Sequence, residues 1–115
     1  MSYYQPDNWV IFKLKGDDPH YRVLAGWSGS YLHGDSWRIN SGITKVEKGS
    51  TTWKFCGETG SVYECGFHNY GLKFNNSHIW ESIKENYGED VEIMPEDTNW
   101  LSIVDYVYPG GDCQE

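Results

Sequence analysis

The chain contains no apolar run long enough to cross a membrane, which takes about 18 or more consecutive apolar residues. Residues 1–9 have neither a basic start nor an apolar stretch, so we do not expect a secretory signal peptide. These two absences predict a cytoplasmic protein that does not enter a membrane.

Cysteine is scarce, and the odd count of three does not suit a disulfide framework. Cys56 and Cys65 flank a predicted turn at unequal distances, so they are not expected to face each other. We therefore predict three free thiols, as is usual in a reducing compartment. Cys65 and His68 have a spacing found in zinc sites, but a closed site needs four ligands. We predict no metal and no cofactor, and we interpret Cys65 as a small buried apolar residue.

Hydrophobic residues make up only 38% of the chain, yet aromatic residues make up 17% of it. Each large ring buries about 150–250 Å², so a few rings can build a core that would otherwise need many aliphatic side chains. A chain of 115 residues is expected to form one domain. Within it we distinguish a β body (residues 1–75), an acidic helical segment (76–108) and a frayed tail (109–115).

The β body consists of short alternating runs bounded by turn residues, which is typical of strands joined by hairpins. Val10, Phe12 and Leu14 share one face, and Trp53 and Phe55 are expected in the core. The fold class predicted is mainly β (α+β): a small antiparallel meander or barrel-like sheet of about six short strands with one or two C-terminal helices. Strands are predicted at residues 9–14, 20–25, 30–33, 36–40, 43–47, 50–56 and 61–67, with turns at 26–29 and 48–49.

One helix is predicted to begin after Asn76 or Ser77, which are good N-cap residues, and to end before Gly88. The apolar face of this helix is expected to comprise Ile79, Trp80, Ile83 and Tyr87. Residues 95–107 combine helical spacing with β-branched content, and we favour a short helix over a strand there.

Positive charge is almost absent from the last forty residues, which contain one basic residue, Lys84, and ten acidic residues. The first 75 residues carry eight Lys and Arg against seven Asp and Glu, so the net charge of −8 comes from the C-terminal third. An anionic surface repels phosphate, so non-specific nucleic-acid binding is not expected. Such a surface suits a basic protein partner, or it serves solubility alone.

Motifs for catalysis are also missing. Gly34-Asp35-Ser36 resembles the nucleophile block of the GDS-type serine esterases, but their C-terminal D-x-x-H motif is absent and no histidine follows His78. A catalytic triad needs a base that is close to the nucleophile and oriented by a third group. The sequence also lacks a phosphate-binding P-loop. These absences favour a protein that is not an enzyme.

Residues 27–38 concentrate aromatic rings and charges around turn residues. The candidate ligand-binding residues in this segment are Trp27, Tyr31, Asp35, Trp37 and Arg38. Such side chains can stack on a nucleotide or sugar and clamp it with a charged pair. The alternative is that Tyr31 and Trp37 are core residues and that Asp35 and Arg38 form a surface ion pair.

The run GDSWRINSGI at residues 34–43, followed by GSVY at residues 60–63, resembles small uncharacterised proteins of tailed phages, including phages of marine cyanobacteria. The resemblance implies no activity. It implies expression in the cytoplasm of an infected bacterium, where small acidic phage proteins often bind host proteins.

We therefore predict a non-catalytic protein that binds a host or other basic protein through an acidic C-terminal surface. The alternative is a nucleotide- or sugar-binding module that uses residues 27–38, and the sequence leaves the oligomeric state open. The expected partner-binding residues are Glu89, Asp90, Glu92, Glu96 and Asp97, with Trp100 as an aromatic anchor.

Overall fold

The computed structural model describes residues 2–29 and 36–104, in which strands predominate over helix. The prediction of a mainly β, α+β fold is confirmed. The strands are β1 (Tyr3–Tyr4), β2 (Asn8–Leu14), β3 (His20–Trp27), β4 (Ser36–Ile39), β5 (Ile43–Lys48), β6 (Thr52–Gly57), β7 (Val62–Gly66) and β8 (Val91–Ile93). The helix α1 is Ser77–Tyr87, and two 3-10 turns are Gly88–Asp90 and Trp100–Ser102.

The strands form two four-stranded sheets. Sheet A has the order β1-β7-β6-β5 and sheet B the order β4-β3-β2-β8. β1 pairs with β7 in parallel, whereas the other neighbouring strands are antiparallel. β5 and β6 form the hairpin predicted around residues 48–49, and the Gly49 N–H donates to the Thr52 carbonyl at 2.8 Å.

Strand β2 is buried on both faces, because a second layer covers each side of sheet B. Trp9 and Ile11 point into the core between the two sheets, whereas Val10 and Phe12 point toward α1. The order of layers is therefore sheet A, sheet B and helix. The predicted face of Val10 and Phe12 is confirmed as apolar, but it is the helix side. The core between the sheets includes Val23, Ala25, Phe55, Tyr63 and Trp100.

Helix α1 begins after Asn76 and ends before Gly88, as predicted. Gly88 has φ of 57°, a left-handed conformation that glycine adopts without strain. Trp80 and Ile83 are buried against sheet B, but Tyr87, which we expected on the same face, is 51% exposed. Tyr87 is the last residue of α1 and does not reach the apolar residues that cover Trp80 and Ile83. None of the described residues forms a helix long and apolar enough to cross a membrane.

Three buried asparagines attach the start of α1 to sheet B, a network that the sequence did not predict. Asn8 Nδ2 donates to the Gly71 carbonyl at 3.0 Å and to Asn76 Oδ1 at 3.2 Å. Asn75 Nδ2 donates to Asn8 Oδ1 at 2.7 Å. Because buried amides are costly unless they are hydrogen-bonded, this network fixes where the helix starts.

The strands differ from the predictions at β3, β1 and β8. Gly26 and Trp27 continue β3 instead of forming the predicted turn at residues 26–29, because they pair with β4. The short strands β1 and β8 were not predicted, since two or three residues are too few to show alternation. The stretch 95–104 holds a 3-10 turn where a helix was favoured. The predicted strand at 30–33, the end of the acidic segment and the tail at 109–115 lie outside the described residues.

Candidate interaction surfaces

The five predicted contact acids lie in one stretch of chain that follows α1 directly. They occupy the 3-10 turn after the helix, the edge strand β8 and the turn that follows β8. All five side chains are exposed. We refer to Glu89, Asp90, Glu92, Glu96 and Asp97 as the acidic surface.

The alternation of β8 explains why the acidic surface points outward. Val91 is buried and Ile93 is half-buried against the helix-side core, so Glu92 between them is directed to solvent. Lys15 Nζ lies 3.1 Å from Glu92 Oε1, and both side chains are about half exposed. Such an exposed ion pair contributes at most about 1 kcal/mol. It engages one of the five acids, Glu92.

Trp100 is not a surface anchor, and this prediction is wrong. Its indole is only 2% exposed and packs against Trp9, with 5.8 Å between ring centroids, and against Tyr70 at 5.6 Å. The sequence could not separate the two roles, because an aromatic ring suits either a core or an interface. The large exposed apolar side chains that are closest to these acids in the sequence are Tyr87 and Leu101.

The predicted ligand residues of segment 27–38 do not converge in the described structure. Trp27 and Arg38 lie on the face of sheet B toward sheet A, where both contact Tyr4: the Trp27 ring centroid is 6.1 Å and the Arg38 guanidinium 4.7 Å from the Tyr4 ring. Trp37 pairs with Gly26, so its side chain is on the helix side and 45% exposed. Trp27 and Trp37 therefore lie on opposite faces of sheet B and cannot both stack on one ligand.

Two further predicted ligand residues, Tyr31 and Asp35, lie outside the described residues. The pairing of Asp35 with Arg38 therefore falls outside the described residues and stays a prediction. The alternative reading of Trp37 as a core residue is wrong, because the ring is nearly half exposed.

Glu64 accepts hydrogen bonds on both of its carboxylate oxygens. Its Oε1 accepts from the Tyr3 hydroxyl at 2.6 Å and from Gln5 Nε2 at 2.8 Å, and its Oε2 accepts from the Thr52 hydroxyl at 2.8 Å. The bond from Tyr3, followed by those from Gln5 and Thr52, lowers the pKa of Glu64 from 4.5 to about 2. The same bond raises the pKa of Tyr3 to about 12. Glu64 thus ties the N-terminal strand to β6 and β7 and is a structural group.

The described cysteines have two different states. Cys65 is free and completely buried, and burial raises the pKa of its thiol. Cys56 is disulfide-bonded, so the prediction of three free thiols is wrong. Cys113 lies outside the described residues. Within residues 2–29 and 36–104, no group of three or more His, Cys, Asp or Glu side chains is placed to hold a metal.

Lys45 is an unusual cation, because its side chain is buried on the face of sheet A that points away from sheet B. Its nearest carboxylate is Glu47, with Nζ to Oε2 at 3.9 Å, and its ammonium has no hydrogen-bond acceptor among the described residues. Strand alternation does not predict this burial, since Lys45 occupies a polar position of an alternating strand.

We compared the chain with protein-family models, curated proteins and solved structures, and none of them matches it. The exposed features described above are the acidic surface and the half-exposed ring of Trp37.

Proposed function

We propose that this protein is a non-catalytic binding protein whose acidic surface docks a basic protein. The observation that carries the proposal is that all five acids are exposed within nine residues of chain. In the described part of the chain, Lys15 with Glu92 is the one ion pair that these acids make. The other four carboxylates remain available to Lys and Arg side chains of a partner.

The physical basis is charge complementarity. Carboxylates accept charge-assisted hydrogen bonds from Lys and Arg, and a one-signed surface accelerates encounter with a partner of opposite sign. Like charges this close also repel one another, so the isolated protein carries a cost that a basic partner relieves. Solubility alone is the competing explanation for the same acids.

The phage resemblance suggests that the partner is a host protein in the bacterial cytoplasm. The disulfide at Cys56 favours an oxidising compartment instead, because disulfides are rare in reducing ones. A thiol count on protein isolated without reductant from its native cell decides between these two compartments.

The test uses two variants with the same change in net charge. The first is Glu89→Gln, Asp90→Asn and Glu96→Gln, and the second is Asp17→Asn, Asp18→Asn and Glu58→Gln, which are exposed acids elsewhere on the chain. Each variant is immobilised and tested for binding of a Lys-rich protein and of partners captured from host lysate, with association rates measured across a salt series.

The first variant should lose binding and the salt dependence of the association rate, whereas the second should retain both. Equal binding by both variants would show that the acids act through overall charge or solubility, and the proposal would be wrong. Circular dichroism of both variants establishes that the fold is retained.

A nucleotide or sugar site remains the second candidate and is favoured by one observation, the half-exposed ring of Trp37. Stacking on Trp37 depends little on ionic strength, in contrast to docking on the acidic surface. Titration of Trp fluorescence with nucleotides and sugars in wild type and Trp37→Ala tests this candidate.

A further inference from the structure

The outer face of sheet A, which points away from sheet B, contains a group of buried side chains. Lys45, Cys56 and Val62 are neighbours across β5, β6 and β7, so their side chains lie together on this face. Their exposed fractions are 7%, 5% and 3%. Among the described residues, no apolar side chain from another element packs against Cys56 and Val62. We refer to Lys45, Cys56 and Val62 as the covered patch.

The burial of Lys45 shows most directly that this patch is covered. β5 is an edge strand of sheet A, where a Lys side chain ordinarily extends until its ammonium reaches water. The Lys45 ammonium is instead buried, 3.9 Å from Glu47 Oε2 and without a hydrogen-bond acceptor among the described residues. The described layers are sheet A, sheet B and the helix, so none of them lies over the outer face of sheet A.

The disulfide at Cys56 identifies the segment that covers the patch. The chain has three cysteines, of which Cys56 is disulfide-bonded and Cys65 is free. Cys65 pairs with Trp53 and belongs to the core between the sheets, so it lies on the opposite face of sheet A from Cys56. Cys113 is therefore the one cysteine of this chain that is left to bond Cys56.

The chain is long enough to bring Cys113 to Cys56. Val104 packs at the core between the sheets, and the 3-10 turn Trp100–Ser102 lies against β5. The nine residues from Val104 to Cys113 span up to about 30 Å when extended. Neighbouring strands are about 4.8 Å apart and packed sheets about 10 Å, so a path around the edge strand β5 to the outer face of β6 is shorter than this reach.

We infer that Cys56 is bonded to Cys113 and that this disulfide holds residues 105–115 over the covered patch. The composition of this segment suits that position. It contains three acids and no Lys or Arg, which complements the buried ammonium of Lys45. It also contains the apolar run YVY, which suits contact with Val62.

A disulfide makes this cover reversible. A dithiol opens the bond by thiol–disulfide exchange: the dithiol is oxidised to its own disulfide, and its two protons and two electrons pass to Cys56 and Cys113, which become thiols. Residues 105–115 are then no longer tethered, and the covered patch is open to solvent. Sheet A thus presents different outer faces under oxidising and reducing conditions, independently of the acidic surface.

Peptide mapping of the wild-type protein tests the bond. The protein is unfolded and alkylated without reductant, then cleaved after Glu, which separates Cys56 from Cys65 because Glu58 and Glu64 lie between them. The expected result is one cross-linked pair of peptides that carry Cys56 and Cys113, with Cys65 alkylated. A free Cys56, or a bond from Cys56 to Cys65 or to a second molecule, would overturn the inference.

Variants and an amine-reactive label test the cover. In the oxidised protein Lys45 should resist labelling, whereas reduction or Cys113→Ser should raise its labelling rate by about tenfold or more, because labelling then no longer requires a local opening. Lys48, which is exposed at the end of the same strand, is the internal control and should react equally in all samples. A Lys45 rate that does not change on reduction would show that the tethered segment does not cover the patch.

Thermal unfolding completes the comparison. Cys113→Ser should lower the Tm by roughly 10 °C, because the disulfide closes a long loop in the unfolded chain. Cys65→Ala, which removes the free thiol, should keep the cross-linked pair of peptides and the slow labelling of Lys45. Circular dichroism at the labelling temperature establishes that each variant is folded, so that faster labelling of Lys45 reports loss of the cover.

Discussion

The Cα of Gly26 lies directly against the side-chain oxygen of Asn75. The Asn75 side chain is held in place by a hydrogen bond that its Nδ2 donates to Asn8 Oδ1 at 2.7 Å. Gly26 pairs on one side with Asn8 and on the other with Trp37, so its backbone cannot retreat. This contact determines how closely the start of α1 approaches sheet B.

Gly26→Ala should therefore be strongly destabilising, by about 2–3 kcal/mol or more, because the new methyl would overlap Asn75 Oδ1. Gly16→Ala is the matched control: it has open space around it and should change stability by less than about 0.5 kcal/mol. Urea unfolding of both variants measures the difference. A Gly26→Ala protein as stable as the control would contradict the close approach.

Trp100→Ala should cost about 3–5 kcal/mol, because it empties a site in the core between the sheets. Trp37→Ala should cost less than about 0.5 kcal/mol, because that ring is largely outside the core. Thermal and urea unfolding of the pair provide the comparison. Trp53 is half-buried and stacks on Phe55 at 6.3 Å, so Trp53→Ala should fall between the two.

Glu64 should make stability depend on acid pH. The pKa of this carboxyl is about 2 in the folded protein and 4.5 when unperturbed. Its stabilising effect is therefore fully present above pH 4.5 and is lost as the pH falls toward 2. Urea unfolding measured between pH 4.5 and pH 2 should show a steeper loss of unfolding free energy for wild type than for Glu64→Gln.

Tyr3→Phe removes the hydrogen bond that contributes most to the low pKa of Glu64. In this variant the acid loss of stability should be smaller than in wild type and should end at a higher pH, because the pKa of Glu64 in the folded protein moves back toward 4.5. Curves of unfolding free energy against pH that superimpose for wild type, Glu64→Gln and Tyr3→Phe would show that Glu64 does not bind these donors in solution.

Alkylation should distinguish the two described cysteines. Without reductant, the native protein should leave Cys65 unlabelled, because the thiol is completely buried and its pKa is raised. After unfolding without reductant, Cys65 should be labelled, while Cys56 should react only after reduction. Peptide mass spectrometry reads both sites, and labelling of Cys56 before reduction would restore the prediction of free thiols.

The candidate site could be predicted from the sequence only in part. The five acids were predicted as exposed because charged groups avoid burial, and the structure exposes all of them. We expected Trp100 at the surface and Tyr87 against the sheet, whereas Trp100 is buried and Tyr87 is exposed. Both residues satisfy an apolar pattern, and only the neighbouring layers decide which ring is covered.

The sequence by itself determined where β2, β3 and α1 lie, because alternation, helical spacing and a terminal glycine are local properties of the chain. It also determined that negative charge accumulates after α1. Only the tertiary structure decided that β2 is covered on both faces, that Trp27 and Trp37 diverge to opposite sides of sheet B, and that strands as short as β1 and β8 form. Periodicity shows which residues share a face. Which face is buried depends on contacts between segments far apart in the chain.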